Sequence, residues 1–160
     1  MAKFWTEGFL EAGPSPYHEE FTEELPSMVQ YFGYRLVLGL SQEYGVNMYF
    51  KKRFAVSFIS RWGGVLTNYS SFNTFGFEQE FAPSKVKYGI GYTYGMELLP
   101  EWDEADADGY FNYQAVETYL SYNVYSHYWV SVNYDWITNS YNDWRPNIHL
   151  QNLTFGISYR

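Results

Sequence analysis

The sequence predicts an all-β fold, a single domain over residues 1–160 built as an eight-stranded antiparallel up-and-down barrel. Three observations predict it. Large apolar residues alternate with small or polar ones at a period of two through most of the chain, as expected of strands with one apolar and one polar face. The connections between these runs are alternately short and long. Aromatic residues make up 23% of the chain, with 18 Tyr, 13 Phe and 6 Trp. That is more than one small core absorbs, so many of them must face something else.

The first strand is "AKFWTEGFLEAG" (2–13), with Phe4, Thr6 and Leu10 on the outer face and Glu7 and Glu11 on the inner. The connection 13–30 contains "SPYHEEFTEELPS", where Ser15 caps and Pro16 starts an optional short helix. From Tyr31 to Phe50 the even positions Phe32, Tyr34, Leu36, Leu38, Leu40, Tyr44, Val46, Met48 and Phe50 are apolar, interrupted only by Gln42. The odd positions, including Gly33, Arg35, Gly39, Ser41, Gly45 and Asn47, are small or polar. "KKR" (51–53) reads as a tight polar turn, after which Phe54, Val56, Phe58 and Trp62 restart the alternation as the second arm of a hairpin.

The next strand sets Phe75, Phe77 and Phe81 against Gly76, Glu78 and Glu80, and "APSK" (82–85) turns the chain. "VKYGIGYTYGMEL" (86–98) alternates without a break, Val86, Tyr88, Ile90, Tyr92, Tyr94, Met96 and Leu98 opposing Lys87, Gly89, Gly91, Thr93, Gly95 and Glu97. An acidic loop (100–109) follows. Val116, Leu120, Tyr122 and Val124 then oppose Glu117, Ser121 and Asn123, and "YSH" (125–127) is the next turn. Tyr128, Val130, Val132, Tyr134 and Trp136 oppose Ser131, Asn133 and Asp135, and the loop 139–147 leads into a closing strand with Leu153, Phe155, Ile157 and Tyr159 on one face.

Composition excludes several classes. No stretch approaches the roughly 20 apolar residues of a membrane-spanning helix, although a membrane barrel escapes that criterion because its strands are half polar. The absence of cysteine removes disulfides and thiolate metal sites. A formal net charge of -8 argues against nucleic acid as a partner. The start "MAKFWTEGFLEAG" has no positively charged head followed by an apolar stretch, so an exported protein would be represented here in its mature form.

The polar face decides which side is wet. It carries mostly Gly, Ser, Thr and Asn with sparse charges of both signs: Arg35, Arg61, Lys87, Glu78, Glu80, Glu97, Glu117 and Asp135. A solvated exterior would be dominated by Lys and Glu, whereas a narrow interior needs small residues and charges that pair with one another. These eight are therefore the expected lumen charge network. On the apolar face, Trp62, Tyr94, Tyr128, Trp136 and Tyr159 lie near strand ends and form the expected aromatic belt at the two membrane interfaces. The barrel is thus expected to be transmembrane, inverted relative to a soluble lipocalin-like barrel, whose apolar face would line a ligand cavity.

At this point the chain resembles the small eight-stranded outer-membrane barrels, the group of the outer-membrane protein A transmembrane domain and the outer-membrane protein X/Ail type. "YGVNMYFKKRFAVSF" is similar to their periplasmic hairpins, and "VNYDWITN" followed by "LTFGISYR" to their last two strands. The resemblance implies a bacterial outer-membrane protein that contacts the lipid bilayer and lipopolysaccharide and is folded by the barrel-assembly machinery. That machinery reads a closing strand with apolar residues at every second position and an aromatic end. Leu153, Phe155, Ile157 and Tyr159 keep the spacing, but Arg160 stands where one more residue would precede the aromatic end.

Two further features invite a chemical reading. In the acidic loop, Asp103, Glu104, Asp106 and Asp108 approach the spacing of a calcium loop, but the position of its bidentate Glu falls on Ala115. A solvated loop without a metal is expected. His18 and His149 fall on the loop side near Glu19, Glu20, Ser140 and Asp143, and His127 falls in a turn. Some barrels of this architecture are lipid A deacylases or palmitoyltransferases acting at the outer rim with Ser and His. The deacylases' His–x–Ser–Asn element has no counterpart here, "DWITNS" containing no His. The expectation is a monomer with no catalytic residues and no cofactor, serving a structural or adhesive role through its extracellular loops.

Overall fold

In the computed structural model, eight antiparallel strands close into one barrel in sequence order. They are β1 (Lys3–Gly13), β2 (Val29–Ser41), β3 (Val46–Arg61), β4 (Gly64–Phe81), β5 (Val86–Leu98), β6 (Tyr110–Tyr125), β7 (Tyr128–Tyr141) and β8 (Ile148–Tyr159). The structure describes residues 3–14, 29–61, 64–81, 85–98, 110–141 and 148–160; within these, the side chains of 56–61, 64–69, 96–98, 110–112, 139–141 and 148–150 are not described. The expected helix after Ser15, Trp62, His18 and the acidic loop lie outside the described residues.

Each strand pairs with its chain neighbours, and β1 closes against β8 through Gly8–Ala12 facing Phe155–Tyr159. The closure is staggered. Gly8 leads in register through Tyr34, Lys52, Asn73, Tyr94, Gln114 and Thr138 to His149, yet on its other side Gly8 faces Tyr159. Such a stagger tilts the strands and gives an eight-stranded barrel an interior just wide enough for side chains.

The period-two alternation fixes which residues enter that interior. In β1, Glu7 and Glu11 are buried while Phe4 and Leu10 are 63% and 56% exposed. In β5, Lys87 and Thr93 are buried while Tyr88, Ile90, Tyr92 and Tyr94 are exposed. The same division holds around the barrel, with Phe75, Phe77, Leu120, Val132, Phe155 and Ile157 exposed on the outside.

One expected turn is corrected. Residues 51–53 do not turn; they continue β3, and Lys51 and Arg53 point inward with no exposed surface. The chain reverses instead over residues 42–45, at the one break in the alternation, Gln42. The turn needs Gly45, which has φ 64° and whose absent Cβ would lie 2.0 Å from the Glu80 carbonyl oxygen. "YGVNMYFKKRFAVSF" is accordingly a turn end and a single long strand. The alternation kept phase across the true turn, which concealed it.

The other short connections at this end are 82–85 and the pair Ser126–His127, since Tyr125 still belongs to β6. Asn123 holds the latter by donating from Nδ2 to the carbonyls of Ser126 and Tyr128, at 2.9 and 3.2 Å. Both described termini lie at this turn end. The strand ends at Gly13, Val29, Arg61, Gly64, Leu98, Tyr110, Tyr141 and Ile148 lie at the opposite, loop end; β3 and β4 both run past the stretch read as a connection before Phe75.

Candidate functional site

The interior is where chemistry-bearing groups converge. β1 to β7 send charged side chains into it, and they sort into two layers. Nearer the turn end, Glu7 receives Lys87 Nζ at 2.8 Å, and Arg35 Nη1 lies 3.5 Å from Glu7 and 3.4 Å from Glu78. Glu78 also accepts from Asn47 Nδ2 at 3.0 Å and from the Tyr119 hydroxyl, which itself accepts from Arg35 at 3.0 Å. Cations and carboxylates balance in this layer.

Nearer the loop end, Lys51 Nζ lies 2.7 Å from Glu11 and 3.1 Å from Glu117. Arg53 Nη1 lies 2.9 Å from Asp135 and 3.4 Å from Glu117. Two cations here meet three carboxylates. Tyr49 and Tyr119, edge to face at 5.8 Å between ring centroids, stand between the layers. On the loop-end side of the second layer, Val29, Tyr31, Ala55, Phe72, Tyr113, Ala115 and Ile137 pack as one buried apolar cluster inside the barrel.

The geometry explains why this many charges tolerate burial. An ion taken from water loses several kcal/mol of solvation, recovered only when partners and hydrogen bonds surround it. Each buried cation here meets at least one carboxylate and lies over an aromatic ring: Arg35 over Tyr119 at 4.4 Å, Arg53 over Tyr31 at 4.8 Å, Lys51 over Phe9 at 4.8 Å and Lys87 over Trp129 at 4.3 Å.

Of the eight residues expected in a lumen network, Arg35, Lys87, Glu78, Glu117 and Asp135 take part in these two layers. Glu80 sits at the turn-end rim, partly exposed, paired with Arg160 at 2.8 Å. The side chains of Arg61 and Glu97 lie outside the described residues. Sequence reading placed Glu7 and Glu11 inward without joining them to the network, and it misread Lys51 and Arg53 as turn residues. The strict alternation Lys51 in, Lys52 out, Arg53 in was the available signal. Tyr119 and Tyr49 carried no signal of their own; the inward glycines Gly89, Gly91 and Gly76 did, because a Cβ at each would strike one of those two rings.

Of the expected belt, Tyr128 and Tyr159 pair across β7 and β8 at the turn end, 5.1 Å between ring centroids, while Trp136 and Tyr94 lie further toward the loop end, all four exposed. Trp62 lies outside the described residues. Among the described residues no three His, Asp or Glu side chains converge as metal ligands. His127 lies exposed in its turn, its ring 5.8 Å from that of Tyr159. The side chains of His149, Ser140 and Asp143 lie outside the described residues, so the rim-enzyme arrangement has no described geometry.

No protein-family model matches the chain, and no curated protein matches it significantly. In architecture it is similar to the NMR solution structure of the E. coli outer membrane protein W. The two are 13% identical, over 96% of this chain and 97% of that one, with a TM-score of 0.40.

Proposed function

We propose that the barrel spans the bacterial outer membrane as a monomer, without cofactor or catalytic residue, in contact with lipid and lipopolysaccharide. One observation carries this reading: the inverted distribution of polarity. Glu7, Lys51, Arg53, Lys87 and Glu117 are buried inside, while Phe4, Phe75, Phe77, Leu120, Phe155 and Ile157 are all more than half exposed outside. A continuous apolar girdle far exceeds the few hundred Å² that a soluble monomer leaves uncovered. In lipid it is the required surface, and a closed barrel leaves no unpaired strand edge.

Within the membrane the role is structural or adhesive, exercised through the connections 14–28, 99–109 and 142–147 at the loop end. The packing of the lumen supports this assignment over conduction, because two ionic layers and an apolar cluster occupy the bore. Loops then remain as the surface with which to meet a partner. Folding by the barrel-assembly machinery follows from the same reading.

The test is electrophoretic mobility of refolded protein, boiled against unboiled, together with flotation on lipid vesicles. A heat-dependent shift and co-flotation are expected. A monomer that stays soluble in plain buffer and ignores vesicles overturns the reading. Mass spectra of lipid A from expressing cells are expected to be unchanged; new deacylated or acylated species would make the barrel an enzyme.

A further inference from the structure

The outer wall carries a charge that the packing of the lumen does not explain. The described carboxylates of the strands, Glu7, Glu11, Glu78, Glu80, Glu117 and Asp135, all stand in inward-facing rows. Between the rims, the described outer face therefore has a single charged side chain, Lys52 of β3, half-buried and flanked in sequence by the inward Lys51 and Arg53. A charge on a membrane-spanning wall is costly and marks a site whose partner has to be found. No carboxylate among the described residues pairs with Lys52. Its Nζ donates to the neutral Asn73 Oδ1 at 3.0 Å.

The lysine leans toward the loop end. It has six residues of β3 on its turn side and nine on its loop side, so neither rim is close. Asn73 faces it from β4, and Phe54, whose ring centroid lies 5.5 Å from Nζ, is two residues nearer the loop end. The register row Tyr34, Lys52, Asn73, Tyr94 climbs the same way. Beginning at Gly8, which also faces Tyr159 at the turn end, it finishes at His149 at the loop end of β8. Strands about 4.8 Å apart and tilted by about 35–45° raise such a row by about 3 Å per strand, which sets Tyr94 about 6 Å nearer the loop-side interface than Lys52.

Aromatic pairs border these polar steps. Phe32 stacks with Phe54 at 5.6 Å on the loop side, and Phe50 meets Phe75 at 4.9 Å on the turn side. Lys52 has two N–H donors left after Asn73, and the Asn73 amide nitrogen adds its own, so the row offers donors to an acceptor-rich anion. We propose that Lys52 and Asn73 bind the phosphate of an anionic lipid in the loop-side leaflet, with Tyr94 at the edge of the site and the Phe50–Phe75 pair against the acyl chains. Charge selects an anionic headgroup over a zwitterionic one, which brings its own ammonium. The inference rests on the barrel spanning a membrane.

The test is a titration of refolded barrel in dodecyl maltoside micelles with dihexanoyl phosphatidic acid, followed through the Asn73 side-chain amide and the Tyr94 backbone amide in nitrogen–proton NMR spectra. Saturable shifts are expected, with an affinity roughly fivefold above that for dihexanoyl phosphatidylcholine, the contribution of one lysine near an anionic headgroup. Lys52→Met is expected to erase that preference and Lys52→Arg to keep it, while Lys3→Met at the turn-end rim leaves it intact. Asn73→Leu, read at Tyr94, is expected to weaken it and serves as the second variant. Inorganic phosphate at the same concentrations is expected to leave both signals in place; equal shifts would make this a site for free anions and overturn the lipid assignment. Equal affinity for the two lipids, or a preference that survives Lys52→Met, overturns it as well. Flotation on neutral phosphatidylcholine vesicles separates this inference from the reading beneath it. Protein that floats yet shows no preference removes only the lipid site, and protein that does not float removes the spanning barrel and the site together.

Discussion

Tyr119 lies across the bare α-carbon of Gly89: a Cβ there would stand 2.1 Å from the ring atom Cε1. The absence of a side chain on β5 is therefore what lets a tyrosine of β6 fold over into the lumen and reach Glu78 and Arg35. Gly89→Ala should displace the ring and break both contacts, and overpacking of this kind costs about 1–3 kcal/mol. Denaturant unfolding of refolded protein checks this. Gly8→Ala is the control, since nothing lies within 4 Å of its position, and it should leave the midpoint nearly unchanged.

The three consecutive cations of β3 predict a sharp split. Lys51 has no exposed surface and joins two carboxylates, whereas Lys52 is half-buried on the other face, donating to Asn73 at 3.0 Å. Lys51→Met leaves Glu11 without its closest cation, a loss of about 3–5 kcal/mol by analogy with broken buried pairs. Lys52→Met should change stability by less than about 1 kcal/mol. Equal effects would mean that residues 51–53 form the turn that their composition suggests.

That contrast also marks what the sequence made legible. The eight strands, their faces and the inward position of Arg35, Lys87, Glu78, Glu117 and Asp135 follow from alternation, which is local. The turn at 42–45 did not, because Leu40 and Tyr44 sit in the same phase on either side of it and Gln42 alone broke the pattern. A run of three cations reads as solvated wherever an interior rich in carboxylates is not yet in view. Pairing inside the lumen is non-local: Lys87 with Glu7 and Arg53 with Asp135 depend on strand stagger and side-chain reach across the bore.

At the turn-end rim Arg160 bonds Glu80 at 2.8 Å and covers the Trp5 ring at 4.1 Å, with roughly a quarter of each ionic side chain exposed. Partial solvation screens such a pair, so Glu80→Gln should cost no more than about 1 kcal/mol and the cost should shrink in high salt. Glu7→Gln, deep in the first layer against Lys87 and Arg35, should cost several times more and respond little to salt. A double-mutant cycle on Glu80 and Arg160, at low and high ionic strength, measures the difference.

The position of the membrane can be read by placing charge along one strand. Val132 on β7 faces outward, 41% exposed, midway in sequence between Tyr128 and Trp136, the two expected belt positions. If those residues mark the two interfaces, Val132 lies near the middle of the hydrocarbon. An arginine on the lipid face costs about 2–4 kcal/mol at the midplane and about 0–1 near an interface. Val132→Arg should therefore lower the unfolding free energy in lipid vesicles by the larger amount and Tyr128→Arg by the smaller. A soluble barrel inverts the expectation, since a valine-to-arginine change on a water-exposed strand falls within about 0.5 kcal/mol. The depth profile across 128, 132 and 136 thus tests the orientation of the barrel wall independently of gel mobility, and a flat profile would remove the bilayer from the account.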